Sequence, residues 1–161
     1  NFDKKTGFFG SGVKGKDKTL TVSEYDVVLA ISNDGTYRLM TPQDKVLLPK
    51  KVMYLEVFDQ EEGIEFTVIY RDKMKMVYGK KIHIHKFIRN KEYQLIKNKA
   101  GKLTMLVEGH SDSKLEMDFV LAPRQKLKKG SFDLSELEPT SASARGVRLA
   151  PKPVAKMKLA K

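Results

Sequence analysis

The hydrophobic positions of this chain fall into short runs separated by turn residues. The clearest case is Tyr25 to Thr41. Val27, Val28, Leu29, Ala30 and Ile31 form an apolar stretch rich in β-branched residues and too short for a spanning helix. Asn33-Asp34-Gly35 follows, three residues that tolerate the positive φ of a tight turn. Thr36 to Met40 then resumes as a return strand. The pattern predicts a β-hairpin, a unit that is not stable on its own.

The unit recurs. Phe66 to Tyr70 reads as an outgoing strand, Arg71-Asp72-Lys73 as a polar turn, and Met74 to Tyr78 as the alternating return. Leu103 to Val107 goes out again, Gly109 to Ser113 turns, and Leu115 to Phe119 returns. The starts lie about 37–39 residues apart, a period typical of stacked or radial repeats. About 40 residues of strand per repeat suits a blade of a propeller-like fold. An ordinary β-sandwich with similar hairpins is the competing architecture.

Between the hairpins, Val46 to Leu48, Val52 to Phe58 and Arg89 to Ile96 read as strands, as does the short run Thr19 to Val22. Asp59 to Gly63 reads as an acidic turn opening the second repeat at Ile64. Gly7, Gly10, Gly12 and Gly15 lack the Gly-Lys-Ser/Thr ending of a phosphate-cradling loop, so a strand with glycine bends is expected there. In Lys80 to Arg89, Ile82, Ile84 and Phe87 are expected to face inward, with Lys81, His83, His85 and Arg89 opposite. Ser131 to Pro139 is expected to hold a helical turn. Gly146 to Leu149 reads as a closing strand or as part of a basic arm. The expected division is a domain over residues 1–150 and a basic tail over 151–161.

Charge changes the picture more than composition does. The 161 residues carry a formal net charge of +11. Residues 71–102 hold 11 basic and 2 acidic side chains, net +9, and residues 122–161 hold 10 and 3, net +7. An acidic hairpin separates these two blocks. Concentrated positive charge favours a polyanionic partner, most often nucleic acid. There is no cysteine, which excludes disulfides and thiol chemistry. No apolar run reaches the roughly 18 residues of a membrane helix. Asn1 is neither a start methionine nor the beginning of a signal peptide, which points to a piece of a longer chain.

Catalytic chemistry finds little purchase. His83 and His85 lie two apart on one strand face, a spacing known from metal sites, but no third ligand stands near them in sequence. No metal site is therefore expected. An enzyme reading would need these histidines and an acid such as Asp118 to converge in a pocket. None of the six tyrosines can be assigned as a nucleophile.

Four stretches carry a family resemblance. Phe2-Asp3-Lys4-Lys5-Thr6-Gly7-Phe8-Phe9-Gly10 is similar to the opening strand, and Val28 to Tyr37 to the blade hairpin, of the C-terminal domain of bacterial type IIA topoisomerase A subunits. That family includes the gyrase A subunit and the topoisomerase IV subunit ParC. Ile69-Tyr70-Arg71-Asp72 with Arg89-Asn90-Lys91-Glu92-Tyr93 resembles ParC-like chains with drifted blades. Ala144-Arg145-Gly146-Val147-Arg148-Leu149 resembles the Arg-Gly-Val strand between blades. The resemblance implies an all-β fold, a β-pinwheel of about three or four hairpin blades, small, broken or open. It implies a non-catalytic module that binds and bends duplex DNA on a basic rim.

The gyrase box, Gln-Arg-Arg-Gly-Gly-Arg/Lys-Gly, is absent, with Arg145-Gly146 its nearest trace. Relaxation and decatenation of the topoisomerase IV kind are therefore expected over gyrase-type wrapping. The parent enzyme would use ATP and Mg2+, and this part of it no cofactor. Expected partners are double-stranded DNA, the rest of the A subunit and the ATPase B subunit, in the bacterial cytoplasm at the nucleoid, with no membrane. The rival reading is a basic propeller-like module for another polyanion or an acidic protein.

Candidate phosphate-binding residues are Arg71, Lys73, Lys75, Lys80, Lys81, Lys86, Arg89, Lys91, Lys97, Lys99 and Lys102 in the first basic block. Arg124, Lys126, Lys128, Lys129, Arg145 and Arg148 come from the second. Such side chains hold the backbone of a duplex without reading its bases.

Overall fold

Fourteen short strands and one 3-10 turn make up the regular structure of a computed structural model that describes residues 1–23, 25–43, 45–48, 51–85, 91–96, 101–109, 112–120, 129–140 and 146–159. In chain order the strands are β1 (Phe8–Phe9), β2 (Val28–Ser32), β3 (Thr36–Met40), β4 (Val46–Leu47), β5 (Val52–Val57), β6 (Ile64–Arg71) and β7 (Val77–Ile84). They continue with β8 (Glu92–Gln94), β9 (Lys102–Glu108), β10 (Lys114–Phe119), β11 (Lys129–Asp133), β12 (Pro139–Thr140), β13 (Val147–Arg148) and β14 (Val154–Leu159). The 3-10 turn, Leu134–Glu136, is where the sequence predicts a helical turn, and the Asp133 side chain caps it by accepting from the Ser135 N–H.

The chain divides into two compact units. One comprises Asn1–Ile64 with Ile84–Leu95, the other Glu65–His83 with Ile96–Lys161. The expected 1–150 domain is thus not a single compact body.

In the first unit, β2 and β3 form the predicted hairpin with Ile31 opposite Tyr37 and Val28 opposite Met40. Of the three turn residues only Gly35 takes the left-handed conformation, at φ 89°. Asp34 holds the turn by accepting from Thr36 N–H at 3.0 Å and Thr36 Oγ1–H at 2.6 Å. Strand β5 pairs with β2 and β8 with β3, giving the order β5-β2-β3-β8. β1 and β4 form a separate pair. Phe2, Phe9, Val28, Ala30, Met40, Leu48 and Leu55 pack as a buried cluster of this unit. Residues 19–22 hold no strand; Leu20 and Val22 instead pack against that cluster.

In the second unit, β6 and β7 form the second predicted hairpin, within the order β12-β7-β6-β9, and β13 also pairs with β7. Among the described residues the third predicted hairpin is not formed. Both of its strands form, but β9 pairs with β6 while β10 lies in another sheet, ordered β11-β10-β14. The apolar face of Leu103 to Val107 is used up along β6, where Val68 faces Leu106 and Thr67 faces Val107. The alternation of β10 buries Leu115, Met117 and Phe119 and leaves Lys114, Glu116 and Asp118 exposed. Those three residues join Ile69, Val77, Leu134, Leu137, Leu149 and Val154 in the core of this unit.

One wiring rule repeats. Each hairpin (β2–β3, β6–β7, β10–β11) is followed by strands that serve two sheets. One strand pairs with the preceding hairpin or pair: β4 with β1, β8 with β3, β12 and β13 with β7. The next comes back to its own hairpin's first strand: β5 on β2, β9 on β6, β14 on β10. The expected tail is therefore corrected. Residues 154–159 supply the last of these returning strands, and Val154 is fully buried.

Candidate nucleic-acid interface

The basic residues of β6, β7 and β13 meet in the second unit. Between β6 and β7 the chain turns through residues 72–76, longer than the predicted Arg71-Asp72-Lys73. Asp72 organises this turn. Its Oδ1 accepts from Met74 N–H at 2.9 Å and Met76 N–H at 3.0 Å, and its own N–H donates to the Met76 carbonyl at 3.0 Å. Lys73 and Lys75 stand exposed on the turn. Lys75 is left-handed at φ 64°, unusual for a residue with a side chain.

β13 lies antiparallel on β7, with Val147 opposite Gly79 and Arg148 opposite Tyr78. The approach is close: a Cβ on Gly79 would stand 2.8 Å from Leu149 Cδ1. Gly146, just before the strand, donates its N–H to the Tyr70 hydroxyl at 2.9 Å, and Tyr70 stacks on Tyr78 with ring centroids 5.4 Å apart. Arg148 is left exposed.

Two candidates on β7 are corrected. Lys80 is 1 % exposed and Lys81 4 %. β7 is an inner strand, flanked by β6 on one side and by β12 and β13 on the other. Both of its faces are covered at this point, so alternation puts neither lysine in water. Lys81 Nζ is paired instead with Asp112 Oδ1 at 2.9 Å. Neither ammonium is placed to meet a phosphate. Farther along β7 the expected alternation holds: Ile82 and Ile84 are buried and His83 is exposed, as is His85 just past the strand's end.

Arg71 is partly diverted. Its Nη1 donates to the carbonyls of Val154 at 3.0 Å and Ala155 at 3.3 Å, tying the end of β6 to β14. Lys102 is exposed at the start of β9. Lys129 is exposed on β11 but sits in register with Asp118, which Lys156 of β14 faces from the other side. In the next row Lys158 pairs with Glu116 at 3.7 Å. These side chains rim an open depression of about 570 Å³. The two carboxylates offset most of the positive charge of the three lysines there. Asp118 lines it and His83 does not, so the convergent pocket that an enzyme would need is not formed there. Among the described residues no group of three His, Asp or Glu side chains could hold a metal ion.

In the first unit Lys91 is exposed, with Nζ 5.2 Å from the Tyr93 ring centroid. Tyr93 stacks on Tyr37 at 5.1 Å. Burial, and after it the neighbouring Tyr93 hydroxyl, pushes the Tyr37 hydroxyl up to about 12. Lys86, Phe87, Arg89, Lys97, Lys99, Arg124, Lys126, Lys128 and Arg145 lie outside the described residues.

Lys156 and Lys158 escaped the sequence reading. The period-2 run Lys156-Met157-Lys158-Leu159 is the signal that could have placed them on a strand. The Tyr70–Gly146 contact left no local signal, because its partners are 76 residues apart.

Hairpin sheets that exchange strands, nearly without helix, define an all-β domain of the β-pinwheel class. The crystal structure of the C-terminal domain of DNA topoisomerase IV has this fold: it superposes with a TM-score of 0.56 at 17 % identity, over 87 % of this chain and 49 % of that one. The chain thus spans about half the length of that solved chain. No curated protein matches it. The family described as topoisomerase C-terminal domain, Bacteroidota, matches residues 1–161, and the chain belongs to that family.

Proposed function

We propose that this topoisomerase C-terminal domain binds duplex DNA through its phosphates, bends it, and so aids relaxation and decatenation by the enzyme that carries it. The observation that carries the reading is the exposed basic set of the second unit. Lys73 and Lys75 stand on the β6–β7 turn and Arg148 on the strand paired with that hairpin's return. Lys102, Lys129 and, in the first unit, Lys91 are exposed candidates beyond this cluster. Each phosphate neutralised should add about −0.9 to the slope of log K against log salt. Bending a site by tens of degrees costs on the order of 1–6 kcal/mol, which added backbone contacts offset.

On this reading the domain takes no cofactor, and ATP and Mg2+ serve the rest of the enzyme. Its protein partners are the remainder of the A subunit and the ATPase B subunit, in the cytoplasm. Among the described residues no helix is long and apolar enough to cross a membrane.

The test is binding to linear duplexes of about 20 and 150 base pairs across a salt series. Tighter binding per site on the long duplex, with a steep slope, supports the reading. Absence of salt-dependent binding to either duplex overturns it and favours an acidic protein as partner.

A further inference from the structure

The β6–β7 turn carries more than charge. Met74 sits at its tip with 66 % of its surface in water, the most exposed large apolar side chain among the described residues of the second unit. Exposed lysines flank it on both sides, Lys73 and Lys75. The backbone beneath is fixed. Besides the bonds to the Asp72 carboxylate, Lys75 N–H donates to the Asp72 carbonyl at 3.0 Å, and Val154 N–H donates to the Lys75 carbonyl at 2.9 Å. The turn is thus anchored to β14 and presents one apolar side chain between two cations.

We propose that Met74 is a wedge that enters DNA between base pairs and kinks it, while Lys73 and Lys75 hold the phosphates on either side. This rests on the DNA-binding reading above and adds to it a named residue and a mode of bending. The chemistry suits the task. Methionine is unbranched and polarizable and makes favourable sulfur–aromatic contacts. Proteins that kink duplexes commonly insert apolar side chains, methionine among them, and offset the unstacking with wider backbone contact. A turn already held by its own hydrogen bonds loses little freedom on binding. The Asp72 carboxylate, the one acidic group in the turn, is engaged by the amides of Met74 and Met76 and lies 3.5 Å from the Tyr78 hydroxyl.

The experiment compares the wild-type chain with M74A, M74F and the double variant K73Q/K75Q. The readouts are fluorescence energy transfer between the ends of a duplex of about 35 base pairs, and 2-aminopurine emission at a central flexible TA step. Met74 packs little, so M74A should melt as the wild type does. M74A should keep the salt slope but bend the duplex less and leave 2-aminopurine quenched. M74F should retain both signals. Wild type should favour a duplex with a central mismatch by roughly threefold or more, since unstacking is already part-accomplished there, and M74A should lose that preference. K73Q/K75Q should weaken binding at every salt. If wild type and M74A bend DNA equally, the wedge is wrong and the DNA-binding reading stands. If wild type shows no salt-dependent binding, that reading fails and the wedge with it.

Discussion

The Tyr70 hydroxyl accepts the Gly146 N–H at 2.9 Å, joining β6 to the segment that enters β13. The contact leaves little room at residue 146: an added Cβ would lie 3.0 Å from both Tyr70 Cε1 and Oη and 3.1 Å from the Gly79 carbonyl, so these neighbours would have to give by a few tenths of an ångström. It is the device that delivers Arg148 to the surface beside the β6–β7 hairpin. Tyr70→Phe should cost about 0.5–1.5 kcal/mol, the worth of one hydrogen bond. Gly146→Ala should cost about 1–3 kcal/mol through overpacking. Urea unfolding of the two variants checks both figures, and Gly146→Ala should also weaken DNA binding at low salt.

Lys81 exposes 5 % of its side chain and Asp112 75 % of its own, so the ion pair is asymmetric. Asp112→Asn keeps the shape and removes the countercharge, leaving a buried ammonium poorly compensated. The expected loss is about 1–3 kcal/mol, read as a lower denaturation midpoint. Lys81→Met should be better tolerated than Asp112→Asn, because it removes the buried charge along with its need for a partner. A contribution of Lys81 to DNA binding would instead appear as a shallower salt slope in Lys81→Met, and none is expected.

The raised Tyr37 hydroxyl makes stability depend on alkaline pH. In the unfolded chain a tyrosine loses its proton near 10, whereas the folded protein holds this one to about 12. Between those values the folded state binds more protons than the unfolded, so stability falls as pH rises. Below pH 10 the contribution is fully present. Thermal melts from pH 9 upward should therefore decline more steeply for the wild type than for Tyr37→Phe, which lacks the titrating group.

The first two hairpins were legible in the sequence because each couples an apolar run to a turn residue that must reverse the chain. Gly35 and Asp72 do so by different means, one with a left-handed backbone and one with a carboxylate that accepts two amides. The third was misread because periodicity cannot tell an outgoing strand from a returning one. Leu103 to Val107 resembles Phe66 to Tyr70 in composition, yet it completes the preceding hairpin. Lys80 and Lys81 failed for a related reason: alternation assigns opposite faces to neighbours but is silent on whether both faces are covered. The exposure of Lys73, Lys75 and Arg148 was legible because turns and short edge strands keep basic side chains in water.

The last strand separates the two readings of the C-terminus most sharply. A solubilising tail could be removed without loss. Here Val154 is fully buried in the core with Leu115, Met117 and Phe119, and β14 runs along β10 with Met117 opposite Met157 and Leu115 opposite Leu159. Arg71 donates to two of its carbonyls, and its first amide holds the β6–β7 turn. Truncation after Ala150 should therefore expose the apolar core of the second unit, lower the melting temperature and raise binding of a hydrophobic dye. Val154→Ala should do the same on a smaller scale, at roughly 2 kcal/mol for the methyl groups lost from a closed site. Charge removal by Lys156→Gln with Lys158→Gln should leave the melt nearly unchanged, since these side chains are exposed and the Glu116–Lys158 pair lies in water. A truncated chain that melts like the full one would restore the tail.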